Sequence, residues 1–149
     1  MADEAGFVSW YSAVEPRLRA ALSAAYGPQR GRDATAEALS WAWEHQDRLD
    51  GLRIPVAYLF RVGQSRTRFR RMPTLHRSEG WSEPWMEPGL GKGLASLSER
   101  QRVAVMLVYG YEWTLAEVAD LLGVKVTTVQ NHLERGLAKL RSALGGVSG

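Results

Sequence analysis

The stretch Thr114–Leu133, TLAEVADLLGVKVTTVQNHL, decides the fold. Thr114 followed three residues later by Glu117 is a capping box, the reciprocal pattern that satisfies two otherwise unpaired amides where a helix starts. Ala119 falls on the face that must pack, where a small side chain lets a second helix cross closely, and Gly123 supplies the backbone freedom for a tight turn. Beyond the turn, Val126, Val129, Leu133, Leu137, Leu140 and Leu144 recur at helical spacing and are expected to hold a second helix against the core. Two helices joined in this way make a helix-turn-helix, whose second helix enters a DNA major groove.

If those apolar positions face inward, Lys125, Thr127, Thr128, Gln130, Asn131, Glu134 and Arg135 face outward at the start of the second helix. Amides pair with adenine edges, arginine with guanine or phosphate, and hydroxyls with phosphate. A plain helical subdomain with a solvated face is the alternative. The agreement of cap, small residue, turn and spacing favours the DNA-reading motif. Lys125 stands where a Ser or Thr cap would usually open the recognition helix. Losing such a cap typically costs about 1 kcal/mol, and a positive charge there opposes the helix dipole. This helix end is therefore expected to be loose until DNA binds.

Outward from the motif, helical periodicity predicts a C-terminal block beginning at Leu94, with helices over Ser98–Tyr109, Thr114–Leu122 and Val126 to about Leu144. Upstream, Phe7, Trp10, Tyr11, Val14, Leu18, Ala21, Leu22 and Ala25 mark a first helix. Gly27-Pro28 should end it, with Gly31-Arg32 completing a short loop. Asp33 is placed to cap a second helix with the stripe Ala38, Leu39, Ala42, Trp43 and Leu49, leaving Trp41 off the stripe. Pro55 suits the first position of a third helix. That helix has Tyr58, Leu59, Val62 and Phe69 on one side and Arg61, Arg66, Arg68, Arg70 and Arg71 elsewhere. From about Met72 to Gly93 periodicity disappears among prolines and glycines, and Glu79, Glu83 and Glu87 alternate with Trp81 and Trp85. No strand-like alternation of useful length occurs. The expected fold is all-α, with two small helical domains at 1–72 and 94–149 joined by a linker at 73–93.

Composition narrows the function. The 149 residues include no cysteine, carry a net charge of +3 and have a pI near 9.5. Absence of cysteine excludes disulfides, thiolate zinc sites and cysteine nucleophiles, and suits a reducing compartment. His45, His76 and His132 are scattered without metal-ligand spacing. With no Gly-rich phosphate loop and no nucleophile beside a base, the sequence reads as a non-enzyme without metal or cofactor. No run suits a membrane span and the N-terminus lacks the pattern of a secretory signal, so a cytoplasmic location is expected. The mild basicity suits a nucleic-acid partner.

The run Leu97-Ser-Glu-Arg-Gln-Arg102, then Tyr109-Gly-Tyr-Glu-Trp-Thr-Leu-Ala-Glu117-Val-Ala, Gly123-Val, Thr128-Val129, Arg135 and Leu140-Arg141, resembles region 4 of the extracytoplasmic-function sigma factors of bacterial RNA polymerase. Asp33, Glu37, Leu39 and Trp43 fall where that family carries its polymerase-clamp helix, and Tyr58-Leu59-Phe60-Arg61-Val62 is similar to its minus-10 helix. Ala36, in place of a common glutamine, and Gly63-Gln64-Ser65, in place of an Ala-Arg-Asn-like run, depart from the pattern.

The resemblance implies minus-35 recognition by the C-terminal motif, and minus-10 recognition by Arg61, Gln64, Ser65, Arg66, Arg68, Arg70 and Arg71. It implies binding of the polymerase core, at clamp and flap, with Asp33, Glu37, Trp41 and Trp43 on the clamp side. An anti-sigma factor or other regulatory protein is a further partner it allows. Thr128-Val129-Gln-Asn-His132-Leu133 with Leu137-Ala-Lys-Leu140 is also similar to the LuxR-type helix-turn-helix. A DNA-binding regulator that does not itself initiate transcription is therefore the second reading. The first 70 residues favour the sigma resemblance, because they show none of the strand-and-helix alternation of a receiver domain.

Overall fold

The computed structural model describes residues 4–49, 55–69 and 89–145. Among them the chain is helical and has no strand: α1 Glu4–Tyr26, α2 Pro28–Glu44, the single turn α3 Gln46–Leu49, α4 Pro55–Phe69, α5 Leu90–Ala95, α6 Glu99–Val105, α7 Leu115–Leu122 and α8 Val126–Gly145. The all-α expectation holds. None of these helices is long and apolar enough to cross a membrane.

α1 and α2 form an antiparallel pair packed through small residues. Ala20, Ala21, Ala24 and Ala25 of α1 and Ala34, Ala38 and Ala42 of α2 are all buried. The expected loop through Gly31-Arg32 shrinks to one residue. Gly27, at φ 96° and ψ 161°, occupies a region that only glycine adopts readily, and Pro28 is the first residue of α2. Asp33 is consequently not a cap but an exposed residue in the second turn of α2. Gly31 is a packing residue: a Cβ there would lie 2.4 Å from the Ser23 Cα.

α4 begins at Pro55 as expected. Its buried side is centred on Phe60, 1% exposed, with Ala57, Leu59, Gly63 and Thr67, while Tyr58 and Val62 are only partly buried. Gly63 lets α4 approach α1, since a Cβ would meet the Leu22 side chain at 2.8 Å. This close approach is a physical reason for one of the departures from the family pattern.

The C-terminal block starts earlier than Leu94, with α5 at Leu90, and Gly93 packs against Leu140 of α8. Ser98 and Gln101 make a second capping box at the start of α6. The helix expected to run on to Tyr109 remains α-helical only to Val105 and then widens into π-type turns over Met106–Gly110. Glu112 follows at φ 59°, unusual for a residue other than glycine.

Buried apolar side chains from Val14 through Leu140 form one contiguous cluster across both halves. Polar contacts add to this junction. Arg17 of α1 pairs with Glu117 of α7 at 2.5 Å and lies 4.2 Å from the Trp113 ring centroid. Arg102 of α6 donates from Nε to the Ala24 carbonyl at 2.9 Å and from Nη2 to the Ala25 carbonyl. These carbonyls lie in the last turn of α1, where the helix leaves acceptors unpaired.

Candidate nucleic-acid interface

The helix-turn-helix is built as its sequence predicts. Thr114 accepts from the Glu117 amide at 3.1 Å, and Glu117 accepts from the Thr114 amide at 2.9 Å. The Thr114 backbone N–H holds the Glu117 carboxyl below the ordinary carboxylate range against the opposing effect of burial. The Thr114 hydroxyl and Arg17 contribute in the same lowering direction. α7 ends at Gly123, which adopts the left-handed conformation at φ 68°. Val118, Ala119 and Leu121 on α7 and Val129, Leu133, Gly136 and Leu140 on α8 are buried between the helices and the core.

α8 then starts from the Lys125 carbonyl, which accepts from the amides of Thr128 at 3.0 Å and Val129 at 3.2 Å. A lysine side chain has no acceptor with which to cap the remaining amides. Lys125, Thr127, Gln130, Asn131, Glu134 and Arg135 are exposed and Thr128 is half-buried, so the outward face expected from the sequence exists. Val126 departs from expectation. It is 39% exposed, although its spacing with Val129 and Leu133 is that of the buried side of α8. At the first residue of α8 the chain is still leaving the turn, so this side chain is covered less than Val129 and Leu133 farther along. His132, on the partly covered flank, has its Nε2 buried without a hydrogen-bond partner among the described residues. Burial lowers its pKa, and the charges of Arg100 and Arg135 push in the same direction.

The residues assigned to minus-10 recognition divide. Arg61, Ser65 and Arg66 are exposed on α4. Gln64 is half-buried and donates to Glu99 of α6 at 3.2 Å. Arg61 approaches the turn of the helix-turn-helix, where a Cβ on Gly123 would lie 3.1 Å from its guanidinium. Phe60, Arg61, Gln64, Glu99, Arg100 and Leu122 line a cleft of about 550 Å³ between α4 and the C-terminal helices. Arg70 and Arg71, and the side chain of Arg68, lie outside the described residues, as do Glu79, Trp81, Glu83, Trp85 and Glu87.

On α2 the two tryptophans exchange the roles expected of them. Trp41, expected off the apolar stripe, is partly buried, stacks on His45 at 4.3 Å and touches the Tyr58 ring. Trp43, expected on the stripe, is 50% exposed and meets Phe7 edge-on at 4.7 Å. Both tryptophans flank the buried stripe of Ala34, Ala38, Leu39 and Ala42, and Trp41 is on the flank that meets Tyr58 of α4. Glu37 and Trp41 border a shallow depression with Ser40, Glu44 and Arg66, so part of the clamp set adjoins part of the minus-10 set. Asp33 stands apart, one turn or more nearer the start of α2.

Sequence reasoning missed the junction residues Arg17, Arg102 and Trp113. A charged residue among apolar ones at helical spacing, as Arg102 is in RQRVAV, was the available signal, but its acceptors at Ala24 and Ala25 are 78 and 77 residues away in the chain. It also missed Tyr109 and Tyr111, which the π-type segment leaves exposed.

Residues 90–140 match the family model described as sigma-70, region 4. The resemblance of this half to region 4 is thereby borne out, and of the two helix-turn-helix families it is the sigma one that matches. Among solved structures, the sigma factor RpoE from Bartonella quintana, determined in complex with the anti-sigma factor NepR, superposes with a TM-score of 0.65. It is 23% identical, and the alignment covers 94% of this chain and 97% of that chain. The chain therefore shares its fold with that sigma factor over most of its length. No curated protein is significantly similar to it in sequence.

Proposed function

We propose that this chain is a sigma factor of bacterial RNA polymerase, similar to the extracytoplasmic-function group, and that it acts without catalysis of its own. The observation that carries this is the region 4 match over residues 90–140, laid on a helix-turn-helix whose outward face is polar. The α8 face from Lys125 to Arg135 reads the minus-35 element. Arg61, Gln64, Ser65, Arg66, Arg68, Arg70 and Arg71 engage the minus-10 element. Glu37, Trp41, Trp43 and Asp33 on α2 bind the polymerase clamp, and the C-terminal half binds the flap. Residues 1–72 and 94–149 act as separate domains joined by 73–93, the protein works in the cytoplasm, and an anti-sigma factor is a partner to be sought.

Elements near minus-35 and minus-10 lie about 25 base pairs apart, or ~85 Å along B-form DNA at 3.4 Å per step. Here Arg61 of the minus-10 set approaches Gly123, two residues before Lys125 of the minus-35 set. The two halves must part before both elements are bound together. Parting breaks the Arg17–Glu117 pair, the Arg102 bonds to α1 and the Gln64–Glu99 bond.

The deciding experiment is run-off transcription with purified bacterial core polymerase, the full chain and a library of promoter fragments, alongside co-purification with the polymerase. Specific transcripts are expected. Stable polymerase binding without transcripts would indicate a regulator that does not initiate, and DNA binding without polymerase would favour the LuxR-like reading.

A further inference from the structure

Val126 opens α8 with its side chain exposed among Lys125, Thr127, Gln130 and Asn131, all of which are exposed. Gln130 lies one turn beyond Val126 and Asn131 one turn beyond Thr127, so these four side chains form one contiguous patch. Val126 is its apolar member. At 39% exposure it is covered less than the other apolar residues of this helix, Val129, Leu133 and Leu140, and a β-branched residue is a poorer helix former than many polar ones. The first residues of a recognition helix are those that reach base edges. In a major groove the apolar feature that distinguishes one base from the others is the C5-methyl of thymine, while the neighbouring amide suits adenine.

We propose that Val126 selects thymine at one position of the recognised DNA by packing on its C5-methyl, beside a base pair read by Gln130. The inference rests on the sigma-factor reading and names what one residue of the same site recognises.

The test uses the full chain, alone and assembled with core polymerase, to select duplexes from a pool with a randomised window. In the best duplex each thymine is then replaced singly by deoxyuridine, which removes only the methyl. One such replacement is expected to weaken binding about fourfold, the value of burying one methyl group. Val126→Ala is expected to bind the thymine and uridine duplexes equally, and Val126→Thr, which keeps one methyl, to retain a reduced preference. Circular dichroism checks that each variant keeps its helical content. Insensitivity at every thymine, or unchanged discrimination by Val126→Ala, overturns the inference while leaving the sigma-factor reading intact. Failure to select any duplex in either form overturns that reading and the inference with it.

Discussion

Two glycine turns show how differently the halves of this molecule are specified. Gly123 joins α7 to α8 and is announced by its surroundings: a capping box nine residues upstream, apolar spacing on both sides and a left-handed backbone at φ 68°. Gly27 joins α1 to α2 at φ 96° with no side-chain cap at all. There the helix start is written by glycine's access to an otherwise unpopulated backbone region and by proline at the first helical position. Where side chains close the helix ends, the boundaries can be read from sequence. Where the backbone alone makes the turn, neighbouring glycines compete for the assignment. Gly31 illustrates this, because it serves contact between helices and not the turn.

Substitution separates these uses of glycine. Gly31→Ala is expected to be the most damaging, because the new Cβ would meet backbone atoms of Ser23 at 2.4 and 2.5 Å, and backbone cannot rotate aside. A loss of about 3 kcal/mol, at the upper end for overpacking, is expected in urea unfolding. Gly123→Ala should cost about 1 to 2 kcal/mol, the penalty of left-handed backbone for an L-residue. Equal costs at the two sites would mean that α1 and α2 can slide apart, and the contrast between packing and turning would fail.

Side-chain devices come next in size. Thr114→Ala removes one acceptor of the capping box and is expected to lower stability by about 1 kcal/mol. Arg17→Gln touches the junction instead. The Arg17–Glu117 pair is about 40% exposed on each side, so with the contact to Trp113 its loss should cost about 1 kcal/mol or less. On the proposed function, a weaker junction eases separation of the halves. Arg17→Gln is therefore expected to tighten promoter binding in the polymerase complex despite its lower stability, and weaker binding would speak against the need to part.

Much of the C-terminal site was legible because its elements are local. Cap, small residue, turn and apolar stripe all lie within twenty residues, and each has its own physical signature in the sequence. Val126 keeps the spacing of the stripe yet stays 39% exposed, because periodicity describes a helix of indefinite length, whereas the first residue of a real one borders the turn. Trp41 and Trp43 were exchanged because both flank the buried stripe of Ala34, Ala38, Leu39 and Ala42, and which flank a neighbouring helix covers, here Tyr58 of α4 beside Trp41, is settled by tertiary packing and not by spacing. The π-type turns at Met106–Gly110 have no distinct apolar period, so Tyr109 was assigned to a helix that had already widened. The junction contacts of Arg17 and Arg102 join residues 77 to 100 positions apart, and spacing along one element carries no information about them.

The smallest expected effect concerns pH, and it again separates the recognition helix from its support. His132 of α8 has a pKa lowered by burial, with Arg100 and Arg135 adding to the shift. As pH falls below the ordinary histidine value of 6.5 the unfolded chain takes up this proton first, so the folded state loses stability between 6.5 and the lowered folded value. Glu117 acts at lower pH. Its depressed pKa means that its stabilisation is present above the ordinary value of 4.5 and disappears as pH falls through the folded value. Both groups destabilise the fold in acid, His132 beginning below 6.5 and Glu117 only below 4.5. In urea midpoints measured across pH, His132→Leu is expected to flatten the upper limb and leave the lower one, whereas Glu117→Gln does the reverse. If His132→Leu leaves the upper limb unchanged, proton uptake at this buried Nε2 does not contribute to the acid sensitivity of the helix-turn-helix.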